Sequence, residues 1–386
     1  AGRSVTMTSE PQGDRILIVD DDPGILRAVS RILGRRHQVV AVASGELALD
    51  EARKQRPDLA IVDIRLPAMN GFEVTRALKA VQPDIDVILM TGNSEEPDDT
   101  LIRAIDEGAF YFIQKPFERR VLLALVNRCL ELRELREERE QFLRRVEREL
   151  DEARQFQLSL LPPDQMELPG LSIAARYRAC SELAGDIYDY AVAGDGAVAV
   201  LIADVVGHGA SAALMTGLVK AAFRSSHVDG FEPLAVIDRV KEGIRDFDPS
   251  RFVTLCCARL DPGRGELRYV NAGHPEPIVR SGSARPVLLE STGPILSSAL
   301  FDIPCEPATH PLLPGDSLLL YTDGVTEAHG PAGMFGQDRL VSALLRGHRG
   351  ADLLDCLLSE VLAFSSAPNL QDDITLLSLD LTGTTS

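Results

Sequence analysis

Between residues 15 and 130 the chain alternates short apolar runs with stretches whose apolar residues recur at helical spacing. Arg15-Ile-Leu-Ile-Val19 has the composition of a buried strand, and further runs stand at 38–42, 59–62, 87–90 and 111–113. Pro23 opens a segment with Ile25, Leu26, Val29, Ile32 and Leu33 spaced as one face of a helix. Helix-like stretches at 45–54, 71–80 and 99–107 separate the later runs. This strand–helix alternation, five times over, predicts an α/β doubly wound parallel sheet.

The next segment has a different pattern. From Glu131 to Glu152 nine residues are acidic and six are basic, a density that alone describes a solvated helix face. Leu132, Leu135, Phe142, Val146, Ala153, Phe156 and Leu160 nevertheless follow a three-to-four spacing, interrupted by Arg139 and Glu149, with no proline or glycine until Pro162. One long helix over 118–160 is expected, with a coiled-coil-like stripe that makes a homodimer. Docking of that stripe on the chain's own domains is the competing reading. Its polar positions predict a pairing weak enough to be switched.

Beyond residue 170, apolar runs at 172–177, 197–203, 253–260, 266–270, 317–322 and 374–381 alternate with helical patterns at 210–226, 233–247, 338–346 and 352–363. Turns rich in glycine and proline, such as Asp261-Pro-Gly263, separate neighbouring strands, which predicts an α+β layered sandwich. The expected domains are 14–130, a helical linker over 131–160, and 161–386. Residues 1–13 lack periodicity and are expected to be disordered, with Ala1–Thr6 a cloning remnant before Met7.

Composition narrows the class. The 386 residues are 45% hydrophobic and 25% charged, an ordinary globular balance. A net charge of −18 argues against nucleic acid and anionic membranes as partners. No apolar run reaches the length of a membrane span. Six cysteines without a Cys-x-x-Cys pair read as buried small hydrophobes in a reducing, cytoplasmic compartment.

Polar residues at the ends of the first domain's apolar runs carry the first chemistry. Asp20-Asp21-Asp22 follows the first run, Asp63 the third, Thr91 the fourth and Lys115 the fifth. In a doubly wound sheet these positions share the carboxyl edge, where ligands bind. Carboxylates gathered there repel one another unless a hard cation such as Mg²⁺ joins them. One of them could then attack phosphorus, with a lysine neutralising the transferred group and a threonine hydrogen-bonding to it. Taken singly, each residue is an ordinary cap or turn. Together, over residues 14–130, with Asp63-Ile-Arg-Leu-Pro-Ala-Met-Asn-Gly71 and Lys115-Pro116, they resemble the response-regulator receiver domain. The resemblance implies that Asp63 is the phospho-acceptor. It also implies that Asp21 and the Arg65 carbonyl join Asp63 at Mg²⁺ and that Asp20 acts through water. It further implies a cis peptide before Pro116, a switching aromatic at Phe112, and a histidine kinase or phosphotransfer protein as donor.

A second set of aspartates borders apolar runs of the third region: Asp186, Asp204, Asp323 and Asp372-Asp373. If those strands are neighbours, the acids converge. All-oxygen ligands favour Mg²⁺ or Mn²⁺ over zinc, and two such ions sharing a carboxylate and a water promote phosphoester hydrolysis. Asp-Gly and Gly-His-Gly alone are turn chemistry. A His/Asp zinc site is weaker, since no histidines stand at helical ligand spacing, and no Gly-x-Ser-x-Gly elbow is present. Six segments carry the resemblance: Ala153-Arg-Gln-Phe-Gln-Leu-Ser-Leu-Leu-Pro162, Gly185-Asp186, Asp204-Val-Val-Gly-His-Gly209, Asn271-Ala-Gly-His274, Tyr321-Thr-Asp-Gly324 and Asp372-Asp-Ile-Thr375. They resemble the RsbU/SpoIIE-like branch of the metal-dependent PPM/PP2C protein phosphatases. By that resemblance Asp204 bridges two Mn²⁺ or Mg²⁺ ions, with the Val205 carbonyl and Asp186 at one and Asp323 and Asp372 at the other. Asp373 would stand behind them.

Joined, the two resemblances imply a response regulator with a serine/threonine phosphatase output, acting on a phosphorylated protein such as an anti-sigma-factor antagonist. The alternative is a non-catalytic adaptor that uses the phosphatase fold to bind a sigma or anti-sigma factor. Retention of all four aspartates favours the enzyme. An acidic chain without a basic recognition helix does not fit a DNA-binding regulator.

Overall fold

The computed structural model describes residues 13–92, 109–207, 209–282, 284–331, 333–365 and 370–382. The N-terminal segment to residue 12, the expected helix at 99–107, and His208 lie outside the described residues. The chain divides into two compact units, Ala1–Arg145 and Val146–Ser386.

In the first unit β1 (Arg15–Val19), β2 (Gln38–Val42), β3 (Leu59–Asp63), β4 (Asp86–Thr91) and β5 (Tyr111–Gln114) form the expected parallel sheet, in the order β2-β1-β3-β4-β5. The described helices are α1 (Pro23–Leu33), α2 (Gly45–Lys54), α3 (Gly71–Val81) and α4 (Arg119–Leu160). The strands read as continuous apolar runs because helices cover both faces. Ile16, Ile18, Ile61, Ile88 and Met90 pack with α1 and the start of α4, while Leu17, Val19, Ala60, Val62, Val87 and Leu89 pack with α2 and α3. Asp22 caps α1 just before Pro23, and Asn70 and Glu73 form a reciprocal capping box at α3.

Helix α4 is continuous for 42 residues, about 63 Å at 1.5 Å per residue. Leu122, Val126 and Cys129 anchor its first turns in the core. Arg133 then donates to the Asp58 carbonyl at 2.9 Å, and Arg136 holds the buried Asp86 carboxylate through both terminal nitrogens at 3.2 and 3.1 Å. The Arg136 guanidinium also lies 5.1 Å from the centre of the Phe110 ring. Further along, Leu135, Phe142 and Phe156 are 53%, 65% and 67% exposed.

The second unit is the expected α+β sandwich. Its strands are β6 (Gln165–Leu168), β7 (Leu171–Arg178), β8 (Asp186–Val192), β9 (Val198–Val205), β10 (Phe252–Asp261), β11 (Glu266–Ala272), β12 (Ile278–Ser281), β13 (Val287–Leu288), β14 (Leu296–Ser297), β15 (Ala308–Pro311), β16 (Asp316–Tyr321), the short pair β17 (His329–Gly330) and β18 (Gly333–Met334), and β19 (Ile374–Leu381). One sheet runs β15-β11-β10-β9-β8, with β14 on β10; the other runs β13-β12-β16-β19-β7-β6. Tyr188, Val200, Ile202, Cys256 and Ala258 of the first meet Ile173, Ala175, Leu318, Leu320, Leu377 and Leu379 of the second. Helices α5 (Ala210–Ser225) and α6 (Pro233–Ile244) cover the first sheet. After the one-turn α7 (Asp323–Thr326), α8 (Gly336–Leu344) and α9 (Gly350–Ser365) cover the second. Both units thus set their aspartates at strand ends.

Candidate active sites

In the first unit the sheet order reverses between β1 and β3, and the strands' carboxyl ends bring Asp20 and Asp63 together there. Asp20 is fully buried, Asp63 nearly so, and Asp21 exposed; their carboxylate oxygens lie within 4.8 Å of one another. Lys115, just past β5, reaches both buried acids, 2.6 Å from Asp20 and 2.9 Å from Asp63. Burial pushes the Asp63 carboxyl above its ordinary range; Lys115 opposes this, and Asp20 and Asp21 add to it. Burial works against the Lys115 charge, but the two carboxylates outweigh it and hold the ammonium above its usual value. Thr91 is buried at the end of β4, its hydroxyl donating to the Gly92 carbonyl at 3.1 Å. Arg65 lies on the loop after Asp63. At Gly71 a Cβ would stand 2.3 Å from the Asp63 carbonyl, so the close return of this loop needs glycine. The Lys115–Pro116 peptide is cis. The excess acid of three carboxylates against one lysine suits a hard divalent cation.

In the second unit Asp186 opens β8 directly opposite Asp204 on β9, and Asp204 in turn faces Thr254 on β10. The other sheet reaches the same edge through two threonines. Thr322 and Thr375 donate to one oxygen of the buried Asp186 at 2.8 and 2.6 Å. Thr322 immediately precedes Asp323, and Thr375 closely follows Asp372-Asp373. These bonds join β8 to the β16 and β19 ends and bring the acids of both sheets to one place. Burial, then Asp204, push the Asp186 carboxyl well above its ordinary range. Burial, then Asp323, Asp372 and Asp373, push Asp204 up to about 7. Asp323 is raised by burial and by Glu327. Such mutual repulsion is what bound cations relieve, and the oxygen-rich donor set fits Mg²⁺ or Mn²⁺.

Asp373 accepts from the backbone N–H groups of Cys180 and Gly185 at 2.8 and 2.7 Å, so it secures the approach to Asp186. Two glycines permit the convergence. A Cβ at Gly324 would stand 2.0 Å from the Asp373 carbonyl, and one at Gly185 would stand 2.5 Å from that of Val205.

The tightest group of ligand atoms in this unit is Asp372, Asp373 and Cys180; among the described residues Asp186, Asp204 and Asp323 form no equally tight one. Cys180 is therefore not the buried hydrophobe expected from sequence. It is half-buried at the acid cluster, and burial and then Asp373 push its thiol up to about 12. Cys356 is also only half-buried, while the other four cysteines are buried. Thr322 and Thr375 lay inside the motifs without a role, their signal being a hydroxyl within two residues of an acid. His274 is buried. Burial holds its pKa down to about 3, its Nδ1 pairs with the Thr254 hydroxyl at 2.8 Å, and Asn271 closes its turn.

Residues 16–127 match the response regulator receiver domain, and residues 194–382 match the stage II sporulation protein E (SpoIIE) family. Protein IcfG of Synechocystis sp. is 28% identical over 264 residues, covering 60% of this chain and 41% of its own length. The phosphoserine phosphatase RsbP of Bacillus subtilis is 30% identical over 246 residues, covering 61% and 58%. The chain thus spans about half the length of these relatives. The solved SiaA-PP2C domain of Pseudomonas aeruginosa superposes with a TM-score of 0.53 at 21% identity, covering 62% of this chain and 98% of that domain, a likeness of fold.

Proposed function

We propose, from the fusion of a CheY-like receiver domain to a PPM/PP2C-type phosphatase domain of SpoIIE/RsbU-like kind, that the chain is a two-component response regulator whose output is a metal-dependent protein phosphatase. The carrying observation is the junction of the two sheets at Asp186, where Thr322, next to Asp323, and Thr375, two residues past Asp373, grip the carboxylate that faces Asp204.

In this reading the receiver spans 14–130, the linker 131–160 and the phosphatase 161–386. Asp63 accepts a phosphoryl group from a histidine kinase or phosphotransfer protein, with Mg²⁺ held by Asp21, Asp63 and the Arg65 carbonyl and, through water, by Asp20. Lys115, already in reach of Asp63, neutralises the incoming group, and Thr91 turns its hydroxyl toward it. In the phosphatase, Asp186, Asp204, Asp323, Asp372 and the Val205 carbonyl hold two Mn²⁺ or Mg²⁺ ions. When bound, these supply a more nucleophilic water and offset phosphoryl charge. Asp373 fixes the Cys180 and Gly185 backbone, and Thr322 and Thr375 orient Asp186. The substrate is a phosphoserine or phosphothreonine protein, with an anti-sigma-factor antagonist as the leading candidate, in the cytoplasm. Exposed Leu135, Phe142 and Phe156 support pairing of two copies through α4, a bistable element that phosphorylation would bias toward activity.

The test is Mn²⁺-dependent dephosphorylation of a phosphoprotein by wild type, Asp204→Ala and Asp63→Ala, with and without a small-molecule phosphodonor. Activity lost in Asp204→Ala and a donor response lost in Asp63→Ala are expected. Equal activity of wild type and Asp204→Ala refutes the metal centre; an equal donor response in Asp63→Ala refutes the switch.

A further inference from the structure

The last turns of the heavily charged α4 bury one polar side chain among the described residues, Gln157, which is 7% exposed. Its Nε2 donates to the Ala184 carbonyl at 2.8 Å and to the Thr216 hydroxyl at 3.2 Å, while its Oε1 accepts from the Ala184 N–H at 3.1 Å. The side-chain amide exchanges both bonds with Ala184, as the backbone of a paired strand would. Ala184 stands two residues before Asp186, and the intervening Gly185 N–H is held by Asp373. Thr216 lies on α5, the helix that follows Asp204 and its loop. One side chain therefore joins the linker helix to the elements on either side of the facing Asp186–Asp204 pair. Two more contacts run along the same strand. The Tyr188 hydroxyl donates to the Pro162 carbonyl at 3.5 Å, and the Tyr190 hydroxyl donates to the Pro163 carbonyl at 2.7 Å. Residues 186, 188 and 190 project from one face of β8, so the exit of the linker is fastened along the strand that begins with the metal-facing aspartate.

We infer that Gln157 is a positioning residue for Asp186: its amide carries a shift or rotation of α4 into the Ala184–Asp186 segment and so sets how well the centre takes up metal. This deepens the regulation proposed above and rests on that reading of the centre. A buried amide serving only to end the helix would also need satisfied bonds. It would not need to make them reciprocally with the residue that leads into Asp186.

The test uses the full chain as wild type, Gln157→Ala and Gln157→Glu. Hydrogen–deuterium exchange over residues 183–187 is measured without metal, and Mn²⁺ uptake is followed by calorimetry. Gln157→Ala should speed exchange at 183–187 about tenfold, leave β10 unchanged, and raise the Mn²⁺ concentration for half-saturation about tenfold, the size of losing an outer partner of a metal ligand. Gln157→Glu keeps the acceptor for the Ala184 N–H and loses the donor, so it should fall between. Unchanged exchange at 183–187, equal loosening of β10, or an unchanged Mn²⁺ half-point in Gln157→Ala overturns the inference. If the alanine variant does not melt cooperatively, the glutamate variant decides by the same criteria. A wild type that takes up no Mn²⁺ defeats the reading of the centre, and the exchange data still decide the coupling between Gln157 and the 183–187 segment.

Discussion

Thr375→Val tests how the two sheets would share the proposed metal centre. The substitution keeps side-chain volume at a fully buried position and removes only the hydroxyl that donates to Asp186 at 2.6 Å. A hydrogen bond to a charged group contributes about 1.5–3 kcal/mol, which spans roughly one to two powers of ten in affinity. Thr322 still donates to the same oxygen at 2.8 Å, so part of the orientation survives and the lower end applies. We expect the Mn²⁺ concentration for half-maximal uptake to rise about tenfold, in line with other losses behind a metal ligand. Activity at saturating Mn²⁺ should return close to wild type, because no proposed ligand is lost. Thr322→Val is the less clean comparison, since the Thr322 hydroxyl also accepts from the Thr375 N–H at 2.9 Å and its loss would leave that buried donor unpaired. Calorimetric Mn²⁺ titration of folded Thr375→Val is the assay. An unchanged half-point, or an activity deficit that excess Mn²⁺ does not repair, refutes the account of Asp186 as an oriented ligand.

Three further outcomes follow from the geometry. His274 is held near pKa 3 by burial against about 6.5 in the unfolded chain, so the unfolded state takes the proton first as pH falls. Its contribution is intact above pH 6.5 and is lost on the way down to pH 3, by about 2 kcal/mol between pH 6.5 and 5. Denaturant melts of His274→Gln should show a shallower pH slope in that window, and an identical slope would contradict it. Lys115→Ala removes the cation that competes for Asp20 and Asp63, so Mg²⁺ should bind the receiver about tenfold more tightly, a modest part of the Coulomb energy of one nearby charge. The phosphodonor response should vanish in the same variant, and Mg²⁺ binding that is unchanged or weaker by calorimetry refutes the competition. Val146→Glu places a charge in the α4 stripe and should lower the mass seen by light scattering at matched concentration; an unchanged mass argues against pairing through this helix.

The architecture was legible where burial leaves a mark on composition. Runs such as Leu59–Val62 and Val87–Met90 announce strands because both faces are covered. β8 was harder, since Asp186, Tyr188 and Tyr190 interrupt its aliphatic character with polar groups that bond to other elements. The two-residue strands β13 and β14 carry no period at all and are defined by their neighbours. At the centres, the acids could be found in the sequence because each stands at or beside a strand end. Their partners could not. Thr322 and Thr375 acquire meaning only when two sheets stack, and Gln157 is one glutamine among the polar residues of a charged helix until Ala184 is seen opposite it. Cys180 looked like its buried counterparts because nothing in its immediate neighbours reveals that Asp372 and Asp373 lie beside it.

Strand β4 touches both ends of the receiver's affairs. Its last residue, Thr91, lies at the edge that gathers Asp20, Asp63 and Lys115, and its first, Asp86, is gripped by Arg136 of α4. The ends are five residue steps apart, about 17 Å of stiff, hydrogen-bonded chain. One stiff strand therefore ties the Thr91 edge to the Arg136 anchor of α4, so that in the proposed switch a displacement at Thr91 has a direct mechanical route to that helix.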